Sequence, residues 1–171
     1  MFKIQIARKK KIEDGIPYIP SRIVMGDFEE YIWTPVSYWT ARDYRKQWKN
    51  ALQHILKNET SCLVTKMYDP RSLFADVWPM LRKGDIIFVR NSLCFGDFFK
   101  EMFKDSEVTP DNAHEFVRAG DFEDEPDEDG VIQKVSEWKV PVARVKCAMK
   151  WVNEDLNLDS CCDNPRCCFK Y

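Results

Sequence analysis

Histidine and glycine are scarce in this sequence, with two of the first and six of the second among 171 residues. So few imidazoles leave little for general acid–base chemistry at neutral pH. His54 falls in an apolar-patterned helix and His114 in a polar stretch, and each reads as a packing or surface residue. Few glycines also argue against a backbone wrapped closely around phosphates. No P-loop, dinucleotide fingerprint or nucleophile elbow occurs. No catalytic residue and no cofactor is therefore nominated. Long apolar runs are missing as well. Nothing approaches the roughly 18 residues of a membrane span. The opening MFKIQIARKKKIEDG meets a basic run too soon for a signal-peptide core. The expectation is a cytoplasmic protein with no membrane partner.

Cysteine is not scarce, at seven, but the odd count argues against a disulfide framework. Cys62, Cys94 and Cys147 sit in apolar contexts and read as small buried hydrophobes. The other four form the terminal CCDNPRCC. Adjacent cysteines point in opposite directions, whereas structural zinc sites use pairs spaced two to four residues apart on separate turns. The tail after residue 157 reads as an oxidisable extension, and no metal site is assigned. Calcium is not supported either, because Asp127-Glu128-Asp129-Gly130 lacks the alternating ligand spacing of an EF-hand loop.

What is present is a globular composition, 44% hydrophobic, 32% charged and 13% aromatic. The net charge of −2 hides a separation. Residues 1–57 hold eleven Lys/Arg against six Asp/Glu, while residues 97–130 hold three against thirteen. The run Arg8–Lys11 stands beside Glu13 and Asp14 and reads as a solvated turn rather than a nucleic-acid arm.

Alternation predicts a strand over 2–8, a hairpin turn at Asp14-Gly15 and a second strand through IPYIPSRIVM. Pro17 and Pro20 mark the start of that second strand as edge or irregular. GDFEEYIW reads as another strand. Thr40 is placed to cap a helix over about 41–57, with Tyr44, Trp48, Ala51, Leu52, Ile55 and Leu56 on its apolar face. SCLVTKMYD is a buried strand. Residues 71–81 read as a short helix or an irregular turn around Trp78-Pro79, and Ile86–Val89 as a strand after the Lys83-Gly84-Asp85 turn. FGDFFKEMFK has helical periodicity, and Thr109-Pro110 can open a short helix. The acidic block 121–130 should be a solvated loop, VSEWKVPV extended, and Val142 to about Leu156 helical. The order suits one α+β domain over 1–156, a mostly antiparallel sheet with helices packed on one side.

Several segments together resemble a known family. They are Gly26-Asp27-Phe28-Glu29, Pro35-Val36-Ser37-Tyr38-Trp39, and Tyr44 with Gln47-Trp48 and Ala51-Leu52. Leu63-Val64-Thr65, Tyr68-Asp69-Pro70, and Gly84-Asp85 with Phe88-Val89-Arg90-Asn91 follow. Glu128-Asp129-Gly130 and Ser136-Glu137-Trp138 complete the set. In order and spacing this resembles the CdiI-type immunity proteins of bacterial contact-dependent growth inhibition systems, over about residues 20–145. The resemblance implies a non-catalytic cytoplasmic protein that binds the toxic C-terminal domain of a secreted effector, one-to-one, often a nuclease. It also implies that Trp39, Trp48 and Trp138 belong to the scaffold. A basic nuclease would be drawn to acids, so Asp97, Asp121, Glu123, Asp124, Glu125, Asp127, Glu128 and Asp129 are the candidate toxin-binding residues. The competing readings are a regulatory adaptor unrelated to toxins, or an enzyme built around His114 and Glu115.

Overall fold

The structure is a computed structural model that describes residues 1–68, 74–95, 107–115, 117–122 and 135–154, without the side chains of 74, 93–95 and 121. The predicted helix over 95–104 lies outside these residues except for Phe95, whose backbone ends a strand.

The first antiparallel sheet contains β1 (Phe2–Ile6), β2 (Lys11–Glu13), β3 (Ile16–Met25) and β4 (Phe28–Pro35). β3 is its centre. β4 lies along one side of β3, and β1 and β2 lie end to end along the other. Asp14 (φ 50°) and Gly15 (φ 78°) make the two-residue turn that Asp-Gly favours. Alternation then sends Phe2, Ile4, Ile6, Ile19, Ile23, Met25 and Ile32 into the core. Ser21 and Thr34 are buried on the same face, and their hydroxyls lie 2.6 Å apart.

Helix α1 (Ala41–Ile55) starts at the predicted cap. Thr40 Oγ1 accepts from the Asp43 N–H, and the Asp43 carboxylate accepts from the Thr40 N–H, a reciprocal capping box. Its far end is closed by Arg82, whose Nη1 donates to the Leu56 carbonyl at 2.6 Å.

The second sheet runs β5 (Thr60–Met67), β6 (Phe74–Lys83), β7 (Ile86–Arg90), β9 (Glu137–Pro141), with β8 (Ser92–Phe95) also on β6. Phe28, Trp78 and Trp138 pack where the two sheets meet, with the Phe28 and Trp138 rings 4.3 Å apart. Helix α2 (Val142–Trp151) packs Val142, Val145 and Ala148 inward beside β1. The fold is α+β and antiparallel throughout, as expected, but built on two sheets.

Three expectations are corrected. Residues 74–83 form one ten-residue strand, not a helix or irregular turn. The residues around Pro17 and Pro20 belong to the central strand, not to an edge. The ladder explains both, because a proline is harmless where no hydrogen bond is due. Pro20 faces the break between β1 and β2, and Pro79 faces the gap between β8, paired up to Val77, and β7, paired from Met80. Finally, Cys147 is exposed, because the helical phase set by buried Val145 and Ala148 turns it outward; Cys62 is buried as expected.

β5 lies at one end of its sheet, which would leave backbone groups open. Helix α1 closes that edge with side chains. Gln47 Nε2 donates to the Cys62 carbonyl at 2.7 Å, and Gln47 Oε1 accepts from the Val64 N–H at 3.0 Å. Trp48 Nε1 donates to the Val64 carbonyl at 2.7 Å. The Tyr44 hydroxyl accepts from the Met67 N–H at 2.8 Å and lies 2.9 Å from the Pro35 carbonyl. Tyr44, Gln47 and Trp48 are all fully buried.

Candidate functional site

Asp97, Glu123, Asp124, Glu125, Asp127, Glu128 and Asp129 lie outside the described residues, and Asp121 contributes only its backbone, in the 3-10 turn Ala119–Phe122. What the structure places is the root of this acidic region. Residues 107–115 are clamped onto α1 and the strand edge beside it. Tyr38 Oη donates to Glu107 Oε1 at 3.1 Å, Lys46 Nζ meets Asp111 Oδ2 at 2.6 Å, and Asn50 Nδ2 donates to Asp111 Oδ1 and to the Pro110 carbonyl, each at 3.2 Å. Asn112 Oδ1 accepts from the Thr109 N–H at 2.7 Å, and Thr109 Oγ1 accepts from the Asp111 N–H at 3.3 Å. Thr109 thus does act as a cap, though of a turn leading to the 3-10 segment Ala113–Glu115 rather than an α-helix.

Two acids of the region, Glu107 and Asp111, are consequently engaged internally. The Lys46 ammonium beside Asp111 holds its carboxyl below the usual range. The pair is exposed and contributes position more than stability. At the other end Phe122 is buried, with the Arg90 guanidinium 5.2 Å from its ring centroid. Residues 107–115 and Phe122 are thus the two places within 97–130 at which the described chain is fixed to the scaffold.

The two histidines, unrelated in sequence, are brought together there. His54 on α1 and His114 meet with ring centroids 4.7 Å apart and ring planes tilted by 55°. His114 is only 8% exposed, and its Nδ1 is buried without a hydrogen-bond partner. Burial depresses its pKa, the charge of His54 adds to this, and Glu115 and Asp111 oppose it. A depressed imidazole favours the docked segment above the ordinary value of 6.5 and loses that contribution as the pH falls below it. In a proton NMR titration His114 should titrate below 6.5, and amide protection at Ala113 should weaken over the same acid range. A midpoint at or above 6.5 would contradict the buried, unpaired state.

A second cluster lies where the sheets meet. Lys66 and Asp76 form an ion pair across β5 and β6. Half-buried Glu30 has its carboxyl pKa raised by burial, an effect Lys66 opposes and Asp76 reinforces. Among the described residues no group of three or more His, Cys, Asp or Glu is arranged to hold a metal ion.

The sequence reading missed the outer face of the first sheet. Alternation places Tyr18, Arg22, Tyr31 and Trp33 there, all partly exposed, with the Lys11 ammonium 5.5 Å from the Trp33 ring centroid. Arg22 Nη1 bonds Glu29 Oε1 at 3.1 Å and lies 3.5 Å from Tyr31 Oη. Half-exposed Tyr, Trp and Arg are the residue types that anchor protein interfaces. The signal was present in FEEYIW, where large aromatics fall at both phases of the alternation.

An α+β scaffold with a clamped acidic segment and an open aromatic face is the outline of a protein-binding domain. The comparisons with known proteins give the family. Residues 34–148 match the model of the CdiI N-terminal domain, and the chain belongs to that family. It is 31% identical over 121 residues to the immunity protein CdiI of Enterobacter cloacae subsp. cloacae, covering 70% of this chain and 76% of the relative. Its fold matches a chain of the CdiA-CT/CdiI toxin and immunity complex from Enterobacter cloacae, with a TM-score of 0.71 and 28% identity, over 90% of this chain and 99% of that one.

Proposed function

We propose that this chain is an immunity protein that binds and neutralises the C-terminal toxin domain of a cognate contact-dependent growth inhibition effector in the bacterial cytoplasm. The observation that carries this reading is the likeness to the Enterobacter immunity protein, which extends over nearly the whole of a chain of its toxin complex. The protein acts by occupying the toxin surface and catalyses nothing itself. The toxin is a nuclease, whose basic surface is matched by the acids of residues 97–130 other than the internally engaged Glu107 and Asp111.

The test is co-purification with the C-terminal domain of the effector encoded beside it. A stable one-to-one complex that also abolishes toxicity is expected, and no binding would overturn the proposal. The acidic contribution has its own test. Reversing Asp124, Glu125, Asp127 and Glu128 to lysine should slow association by about ten-fold or more at low salt and flatten its salt dependence. Unchanged association kinetics would remove the acidic stretch from the interface while leaving the immunity reading intact.

A further inference from the structure

β2 is exposed at all three of its positions, and among the described residues β3 is its only strand partner. Its middle residue, Ile12, is 70% exposed, the most exposed large apolar side chain described. The hairpin fixes which backbone groups are open. A two-residue turn makes Glu13 and Ile16 a hydrogen-bonded pair, and Lys11 with Tyr18 the next. Ile12 falls between them, opposite Pro17, which has no N–H to offer. The N–H and C=O of Ile12 therefore point away from β3, toward the open edge. An apolar side chain and a free donor–acceptor pair at one edge position form a template for another strand.

The charge pattern specifies which strand. The sequence Lys10-Lys11-Ile12-Glu13-Asp14 is antisymmetric in charge about Ile12. We propose that β2 is a self-recognition edge, through which two copies of this chain pair antiparallel about a two-fold axis at Ile12. In that register each Ile12 exchanges two backbone hydrogen bonds with its counterpart. Lys11 stands opposite Glu13 of the second copy, and Lys10 faces its Asp14. Each Lys–Glu pair is a directly opposed, non-hydrogen-bonded pair, the geometry in which cross-strand side chains approach most closely. The two Ile12 side chains cover each other, and the two four-stranded sheets become one continuous sheet. The contact is isologous, so it closes at the dimer instead of propagating. A contact of three residues per strand is far smaller than a permanent interface. The dissociation constant is therefore expected on the order of 100 µM.

The test is sedimentation equilibrium of the full chain under reducing conditions, from about 10 µM to about 1 mM. The weight-average mass should rise from 20.3 kDa toward twice that value. Lys11→Glu places four acids across the axis and Glu13→Lys four lysines, so each variant alone should dimerise at least about ten-fold more weakly. Mixing the two variants pairs every charge with its opposite and should restore association, as should the double swap Lys11→Glu/Glu13→Lys. The mixture also serves as the folding control, because misfolded variants would not rescue one another. A protein that stays monomeric throughout would overturn the proposal and assign the edge lysines to guarding against aggregation. A dimer indifferent to the single reversals, or variants that fail to associate when mixed, would overturn it equally.

Discussion

Replacing Trp48 with alanine is expected to destabilise the fold by about 3–5 kcal/mol, the largest loss for any single side chain on α1. Trp48 is fully buried, packs beside the Tyr44 ring, and donates from Nε1 to the Val64 carbonyl at 2.7 Å. The alanine variant loses the apolar burial, leaves a cavity between helix and strand, and strands a carbonyl on the outer side of β5. Urea unfolding followed by far-UV circular dichroism measures the loss. Trp48→Phe separates the contributions. It keeps much of the ring volume but removes the donor, so about 1–3 kcal/mol should remain lost. A loss below about 1 kcal/mol for Trp48→Ala would mean that α1 is not seated on the β5 edge as described.

How this arrangement relates to the sequence depends on which facts are local. The Thr40–Asp43 capping box and the spacing of Tyr44, Trp48, Ala51, Leu52 and Ile55 are local, and they placed α1 within two residues at its far end. The Asp14-Gly15 turn and the alternation around it were legible for the same reason. Pro17, Pro20 and Pro79 were misread because the rule that proline interrupts a strand is local. Here Pro20 and Pro79 face gaps between neighbouring strands, and Pro17 sits opposite Ile12 at a position where the hairpin makes no hydrogen bond, one residue before the pairing with β4 begins at Tyr18. Cys147 was misread from its apolar neighbours, whereas the phase of α2 decides its exposure. The meeting of His54 and His114 joins residues sixty apart, and no pattern in either segment announces it.

The functional reading shows the same division. Charge separation along the chain is a property of composition and was visible at once. The attachment of the acidic region to α1 was not, because it depends on Tyr38, Lys46 and Asn50 reaching across to residues 107–111. Scaffold and candidate interface are thus connected through one helix. Its inner face closes the edge of β5, and its outer face holds the base of the acidic segment. The family motif residues Tyr44, Gln47 and Trp48 all belong to the inner face, so they identify the scaffold and leave the toxin-facing surface free to vary.

Gln47 is the residue that the sequence pattern least explains, a polar side chain interrupting an apolar helix face. Gln47→Leu should destabilise the protein by about 2–4 kcal/mol, although leucine fits the apolar pattern better and has a good helix propensity. The amide makes two bonds at once, donating to the Cys62 carbonyl and accepting from the Val64 N–H, as a neighbouring strand would. Leucine leaves both backbone groups buried and unpartnered, and each such group costs about 1–3 kcal/mol. Gln47→Glu distinguishes this account from simple packing. A carboxylate can still accept from Val64 but, once ionised, has nothing to donate to Cys62. It should therefore be destabilised at pH 7 and partly recover in mildly acidic solution, where the protonated acid regains a donor. Urea midpoints for the wild type and both variants at the two pH values make the comparison. A leucine variant as stable as the wild type would show that β5 does not need its edge closed, and that the motif glutamine has another role.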